Sequence, residues 1–489
     1  MSTPPNDSVD LYEGPLLESM TEAESEEGYQ QDLSQRHVQM IALGGAIGTG
    51  LFLGSASRLE LAGPSLAIAY AICGLCAFMV LRAMGELVMY RPSSGSFVTY
   101  AREFMGEWAA YSAGWFFFLN WAMSGIVDIT AVALYMHFWP AFAGVPQWIL
   151  ALGALLLVGT INLAGVRYFG EIEFWLALVK VLTLVIFLAI GAVVLFSGHK
   201  IDGFTPGLHL IKDFGGVFPH GIGICLMLVQ GVIFAYAATE LIGVAAGECK
   251  DARKIIPRAV NSVIWRILIF YVGSIVLLVC VLPWTAYHAD TSPFVTFFQK
   301  LGVPWSAGIM NFVVLTAALS SLNSGLYSTG RILRALALGG SAPSAFAMMN
   351  RNSVPFVGIC ATLAIYLVGV ALNYYIPSQV FEIVLSLSSL GILGTWATIL
   401  ICQLRLHRAI RQGRIPPTRF SMPGSPWSGW ISLGFLLVVL VMMGFDYPSG
   451  TISVACIPLL ALLFFAGWIV IQRKHRLGEQ VAAPAESGD

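Results

Sequence analysis

Apolar residues run along this chain in blocks of about twenty, each closed by a charge or a turn signal. That is the length a helix needs to cross a bilayer. Twelve blocks are read, at 38–56, 64–89, 108–138, 147–165, 173–197, 217–245, 260–283, 305–330, 355–375, 379–402, 428–446 and 451–471. They predict an all-α polytopic membrane protein with twelve transmembrane helices.

The first block breaks its own pattern. Leu43-Gly44-Gly45-Ala46-Ile47-Gly48-Thr49-Gly50-Leu51-Phe52-Leu53-Gly54 carries five glycines inside an apolar run. Each glycine costs a helix about 1 kcal/mol relative to alanine. Gly48, Thr49 and Gly50 therefore mark a place where a helix stops, unwinds and restarts. Within a bilayer such a break is tolerated only where protein or a wet cavity receives the freed backbone groups. A half-helix starting near Gly50 aims its positive end at an anion such as a carboxylate. The alternative is close helix packing through small residues. A dinucleotide fingerprint is discounted, because it needs a strand before the glycines.

Block six repeats the anomaly. Gln230-Gly231-Val232-Ile233-Phe234-Ala235-Tyr236-Ala237-Ala238-Thr239-Glu240 has small residues mid-span and an acid after them. Blocks one and six lie five helices apart, and five is odd, so a second copy of the first five is inverted in the membrane. Paired interrupted helices in inverted halves point to a transporter site near the midplane. The expected organisation is an acidic tail (1–35), a permease domain (36–475) and a second tail (476–489). Within the domain lie a first repeat (38–197), a second repeat (217–402) and two added helices (428–471).

Polar residues inside the blocks narrow the chemistry, since a mid-helix charge costs about 2.5–3.5 kcal/mol to insert. Lys180, in the fifth block, has no acid nearby in sequence; it either titrates functionally or snorkels to the interface. Asp128 lies too deep in the third block to snorkel, so it is either neutral and hydrogen-bonded or a proton or substrate ligand. Glu240 follows the second break and has the same standing. Arg82 and Glu86, four apart on one helix face, are expected to pair with each other. Arg266 is near enough to a helix end to snorkel. The eighth block is rich in hydroxyls, and Asn323 and Tyr327 share a face there and need partners.

Composition agrees. The 489 residues are 57 % hydrophobic and 11 % charged, against about 25 % charged in soluble domains. A net charge of −1 without a basic patch gives nothing for nucleic acid to bind. Residues Met1 to Gln35 hold no Lys or Arg and many acids, among them Glu22, Glu24, Glu26 and Glu27, unlike a signal peptide. Nineteen basic residues fall in loops and tails on one side, and only Arg58, Lys200, Lys212 and Lys300 on the other. The positive-inside rule then sets both termini in the cytoplasm. Cys73-Gly74-Leu75-Cys76 lies within a span and has no second pair, so packing is expected there rather than metal. With no His/Asp/Glu metal set and no Ser–His constellation, neither an enzyme nor a cofactor is expected. A channel would want a continuous polar pore, whereas the polar residues cluster at the breaks.

At these residues the chain resembles the bacterial amino acid permeases of the amino acid–polyamine–organocation superfamily. The resemblance spans about residues 30 to 475. It rests on Gly44 to Gly50, Gly85-Glu86-Leu87 with Arg91 to Phe97, Ala235 to Glu240 with Ala246-Gly247-Glu248, and Asn323 to Arg331. Within the family, Asn120 to Asp128, Phe294 to Phe298 and Cys402 to Arg408 are most like the L-asparagine permeases, with the D-serine/D-alanine/glycine permeases as rivals.

The resemblance implies a LeuT-like fold and proton symport of an α-amino acid across the cell membrane. It implies that the substrate carboxylate meets the backbone at Gly48, Thr49 and Gly50. The amino group meets carbonyls near Ala46 and at Phe234, Ala235 and Ala237, with Phe234 covering the substrate. Ser124, Asp128, Asn323 and Tyr327 complete the candidate substrate residues. Lys180 stands where sodium-coupled relatives hold a cation, and Glu240 is the second candidate for proton coupling. The oligomeric state is left open.

Overall fold

The computed structural model describes residues 47–91, 96–237, 239–240 and 252–482. The tail at 1–35, Ala46, the 92–95 stretch, Ala238 and Ala246-Gly247-Glu248 lie outside them. Two short helices open the described chain, α1 (Thr49–Phe52) and α2 (Gly54–Ala62), interrupted only at Leu53. A turn at Gly63, whose φ of 57° suits glycine, reverses the chain into α3 (Leu66–Tyr90). Then come α4 (Ser96–Met105), α5 (Glu107–Met136), α6 (Gln147–Ala164) and α7 (Val166–Ser197). After α8 (His209–Asp213), α9 (Gly221–Ala235) ends at the second break. Next, α10 (Ala252–Arg266) runs through a π-helical stretch, Ile267–Val272, into α11 (Gly273–Val281). The rest is α12 (Pro293–Lys300), α13 (Ser306–Leu338), α14 (Phe356–Tyr375), α15 (Val380–Arg411), α16 (Trp427–Met443), α17 (Ser449–Ala455) and α18 (Ile457–Ala482).

Among the described residues nine helical segments are long and apolar enough to cross a membrane, and α9 and α16 are shorter apolar helices. The chain is an all-helical, multi-span membrane protein. Its centre is marked by burial: the apolar windows of α5, α13 and α15 are 83 %, 78 % and 78 % buried, whereas that of the Ser449–Arg473 segment is 0 % buried. Small residues let the central helices touch. A methyl group on Gly391 of α15 would stand 2.5 Å from the Asn120 nitrogen of α5, so the two backbones meet there. On α7, Phe187 packs edge-on against Phe294 of α12 at 4.8 Å between centroids, and Phe294 in turn meets Phe52 of α1 at 5.1 Å.

Two sequence expectations are corrected by this packing. The first apolar run was expected to end at 56, but α2 continues to Ala62, and Arg58 lies within it at 2 % exposure rather than in a loop. Arg82 and Glu86 do not bond each other; both hold the connection that follows α15. Arg82 donates to the Asn261 Oδ1 at 2.7 Å and stacks over the Phe420 ring at 3.7 Å. Glu86, buried, accepts the Met422 N–H at 2.8 Å and Gln403 Nε2 at 3.0 Å. The last helix runs to Ala482 and so continues into the stretch assigned to the tail, an assignment it neither supports nor overturns. Cys73 and Cys76 are free, buried thiols, Cys73 donating to the Val229 carbonyl.

Candidate functional site

The start of α1 and the end of α9, where the two breaks are expected, lie against each other. Gly48, in extended conformation (φ −128°), caps α1, and its carbonyl accepts the N–H groups of Leu51 and Phe52. At the other break α9 stops at Ala235, where the N–H groups of Tyr236 and Ala237 turn back to the carbonyls of Ile233 and Phe234. A methyl on Gly50 would lie 2.6 Å from Ala235 Cα and 2.9 Å from Phe234 Cδ1. Close packing of the two breaks therefore already requires glycine at position 50. Gly48 is different: a methyl there would meet Ser321 Oγ at 3.6 Å, an ordinary van der Waals contact, so the position has room for a methyl.

Three tyrosines brace this junction from behind. Tyr70 on α3 donates to the Gly50 carbonyl at 3.3 Å, and Tyr236, in the second break, donates to the Tyr70 carbonyl at 2.7 Å. Tyr271, in the π-helical stretch, stacks on Tyr236 at 4.6 Å. Sequence patterning missed all three, because buried tyrosines are common in any apolar run.

Asp128, fully buried on α5, faces the first break: Thr49 Oγ1 donates to its Oδ1 at 2.7 Å. Its Oδ2 has no hydrogen-bond partner among the described residues. One turn earlier on α5, Ser124 joins α15 through Ser388 Oγ at 2.9 Å, and both hydroxyls converge on Asn120 Oδ1.

Lys180 is fully buried, and its ammonium donates to Ser320 Oγ on α13 at 2.9 Å. It does not snorkel. Ser320 in turn donates to Glu173 Oε1 at 2.5 Å, and Glu173 is also fully buried. Asn323 takes part in the same network, donating to Glu173 Oε2 at 3.4 Å and accepting from Asn162 Nδ2 of α6 at 2.8 Å. Sequence reading passed over Glu173, which lies at the edge of an apolar run beside a second acid, Glu171. Its spacing of seven from Lys180 was the available signal, since seven residues return to nearly the same helix face.

The remaining candidates have other surroundings. Glu240 accepts from Trp396 Nε1 of α15 at 3.3 Å, and the Tyr327 ring lies under the Arg331 guanidinium at 4.1 Å. Away from the breaks, at the Ala62 end of α2, Arg58 pairs with Glu382 of α15 at 2.9 Å. Its guanidinium lies flat on Gly231 of α9, where a methyl would fall within 2.0 Å of it. Gln230, next along α9, donates to Asp446 Oδ2 at 2.8 Å.

Comparison with known proteins agrees with this geometry. Residues 37–480 match the family model described as amino acid permease. The L-asparagine permease of Salmonella typhimurium is 60 % identical over 466 residues, covering 94 % of each chain. That of Escherichia coli is 62 % identical over 449 residues, covering 92 % of this chain and 90 % of its own. The L-asparagine permease of Streptomyces coelicolor is 54 % identical over 461 residues, covering 94 % of each. The chain belongs to the amino acid permease family.

Proposed function

We propose that this chain is a secondary active transporter that imports L-asparagine across the bacterial cell membrane by proton symport. The single observation that carries the mechanism is the junction of the two breaks, Gly50 against Ala235 with Thr49 bonded to the buried Asp128. It concentrates interrupted backbone and one buried acid deep among apolar helices, where an amphoteric solute needs them. The choice of asparagine is supported by relatives named L-asparagine permease that are 53–62 % identical over some nine-tenths of the chain.

In this reading the fold is LeuT-like, with twelve membrane crossings. Two inverted repeats, at 38–197 and 217–402, are followed by helices at 428–471, and both termini are cytoplasmic. The substrate carboxylate meets the backbone N–H groups at Gly48, Thr49 and Gly50. Carbonyls near Ala46 and at Phe234, Ala235 and Ala237 receive the amino group, and Phe234 covers it. Asp128 and Ser124 line the α5 side. Asn323 remains a substrate candidate whose amide also contacts Glu173 and Asn162. Tyr327 is held by Arg331, and Glu240 sits with Trp396 as a secondary candidate for proton coupling.

A competition panel against labelled L-asparagine in proteoliposomes tests the substrate. Asparagine competes best, while its esters and N-acetyl derivative fail, because each lacks one of the two recognised charges. Equal or better competition by D-serine, D-alanine and glycine overturns the asparagine assignment. Competition by putrescine, which has no carboxylate, overturns the amino acid reading altogether.

A further inference from the structure

Glu173 and Lys180 are an acid and an amine buried on one face of α7, joined through the Ser320 hydroxyl, and here they are taken as an ion pair. The direction of that link is fixed by chemistry. An ammonium only donates and a carboxylate only accepts, so the one Ser320 proton must point at Glu173 while its lone pair receives Lys180. Donor, bridge and acceptor are thus already aligned for proton transfer. Seven residues at 1.5 Å each set Glu173 roughly 10 Å nearer the start of α7 than Lys180. With the termini inside, that is the cytoplasmic direction.

We propose that Glu173 is the inward-side proton acceptor for Lys180, reached through Ser320. This rests on the proton-symport reading above. In the step, the Lys180 Nζ–H bond breaks and its proton binds Ser320 Oγ. The proton that Ser320 held passes to Glu173 Oε1. A neutral amine, an intact hydroxyl and a carboxylic acid result, with no change in total charge. A buried ion pair is held against a large desolvation cost, and this transfer removes both charges at once without an outside acceptor. Opening of the inner side then lets Glu173 release the proton to the cytoplasm.

The neighbouring groups allow this assignment. Among the described residues the charged groups acting on Lys180 are Glu173 and, from α5, Asp128. On α13 the network contains Ser320, Ser324 and Asn323, and on α6 it contains Asn162. The stretch of α11 packed on α7 holds no charged residue and one thiol, Cys280. Asn323 and Asn162 act as positioning residues, holding the second carboxylate oxygen of Glu173.

The test uses the full chain in sodium-free proteoliposomes with labelled L-asparagine and two readouts over a pH series. Counterflow against internal unlabelled asparagine needs binding and alternating access, but no net proton release. Accumulation under an inward proton gradient needs both. Glu173→Gln keeps volume and hydrogen bonding but accepts no proton. It is expected to lower accumulation at least tenfold and flatten its pH profile while counterflow survives, and Glu173→Asp is expected to recover part of the accumulation. Ser320→Ala, which cuts the bridge and leaves both charges, is expected to show the same split, and decides the matter if Glu173→Gln does not fold. Wild-type accumulation and pH profile in either variant overturn the relay. Equal loss of both readouts in both variants also overturns it, in favour of a purely structural pair. Failure of the wild-type protein itself to accumulate asparagine overturns the symport reading, a distinct outcome from failure of Glu173.

Discussion

The Thr49 hydroxyl donates to the Asp128 carboxylate at 2.7 Å, tying the first turn after the break to the middle of α5. Any movement of α1 therefore acts on a buried acid directly. Asparagine at position 128 still accepts this bond but carries no charge. Asp128→Asn is expected to keep its folded yield and lower asparagine uptake at least tenfold. Wild-type uptake by this variant would remove the charge of Asp128 from the mechanism.

Gly48 and Gly50 are expected to differ sharply. Gly50→Ala drives a methyl to 2.6 Å from Ala235 Cα, a backbone atom that cannot swing aside. Overpacking of this kind costs about 1–3 kcal/mol, so its thermal midpoint in detergent falls and uptake falls with it. Gly48→Ala has 3.6 Å to its nearest neighbour, so its midpoint stays near wild type. A loss of uptake in Gly48→Ala at unchanged stability then reports on access to the backbone. Equal midpoints for the two variants would contradict the observed junction.

The Arg58–Glu382 pair links α2 to α15 across Gly231 of α9. Gly231→Ala displaces the guanidinium, and Glu382→Gln removes its charged partner, so both disturb one contact between α2 and α15. Each is expected to weaken asparagine binding several-fold, and the double variant to do little more than the stronger single one. Additive effects in a double-mutant cycle on Kd would show that the two positions act separately.

Glu86 holds the connection after α15 by accepting from Met422 and Gln403. Glu86→Ala strips the buried Met422 N–H of its acceptor, while Gln403 Nε2 keeps its bond to Ser425 Oγ, a loss of about 1–3 kcal/mol. The measurement is limited proteolysis with thermal unfolding, which should show faster cleavage between 412 and 426 and a lower midpoint. An unchanged cleavage rate would mean the connection is held elsewhere.

Much of this architecture can be read along the chain, because membrane spans and their interruptions are local features. The glycines at 48 and 50, the small residues before Glu240 and the isolated Asp128 and Lys180 each stand out against a long apolar background. Partners across helices do not. Arg82 and Glu86 have the spacing of an ion pair, yet a distant loop offers both better partners. Arg58 follows a weakly apolar stretch and so resembles a loop residue, although a neighbouring glycine makes room for it in the interior. Glu173 was hidden by its position at a span edge. The Tyr70–Tyr236–Tyr271 brace exists only once α3, the second break and the π-helical stretch are brought together.

The central claim is that asparagine is carried inward with protons through a site set by the two breaks and Lys180. It is tested most directly by labelled L-asparagine in sodium-free proteoliposomes under an imposed inward proton gradient. The account predicts internal asparagine rising above the external concentration, collapse of that rise on adding a protonophore, and no rise with Lys180→Met. Uptake that stops at equal concentrations and ignores the protonophore, or Lys180→Met accumulating as well as wild type, would contradict it.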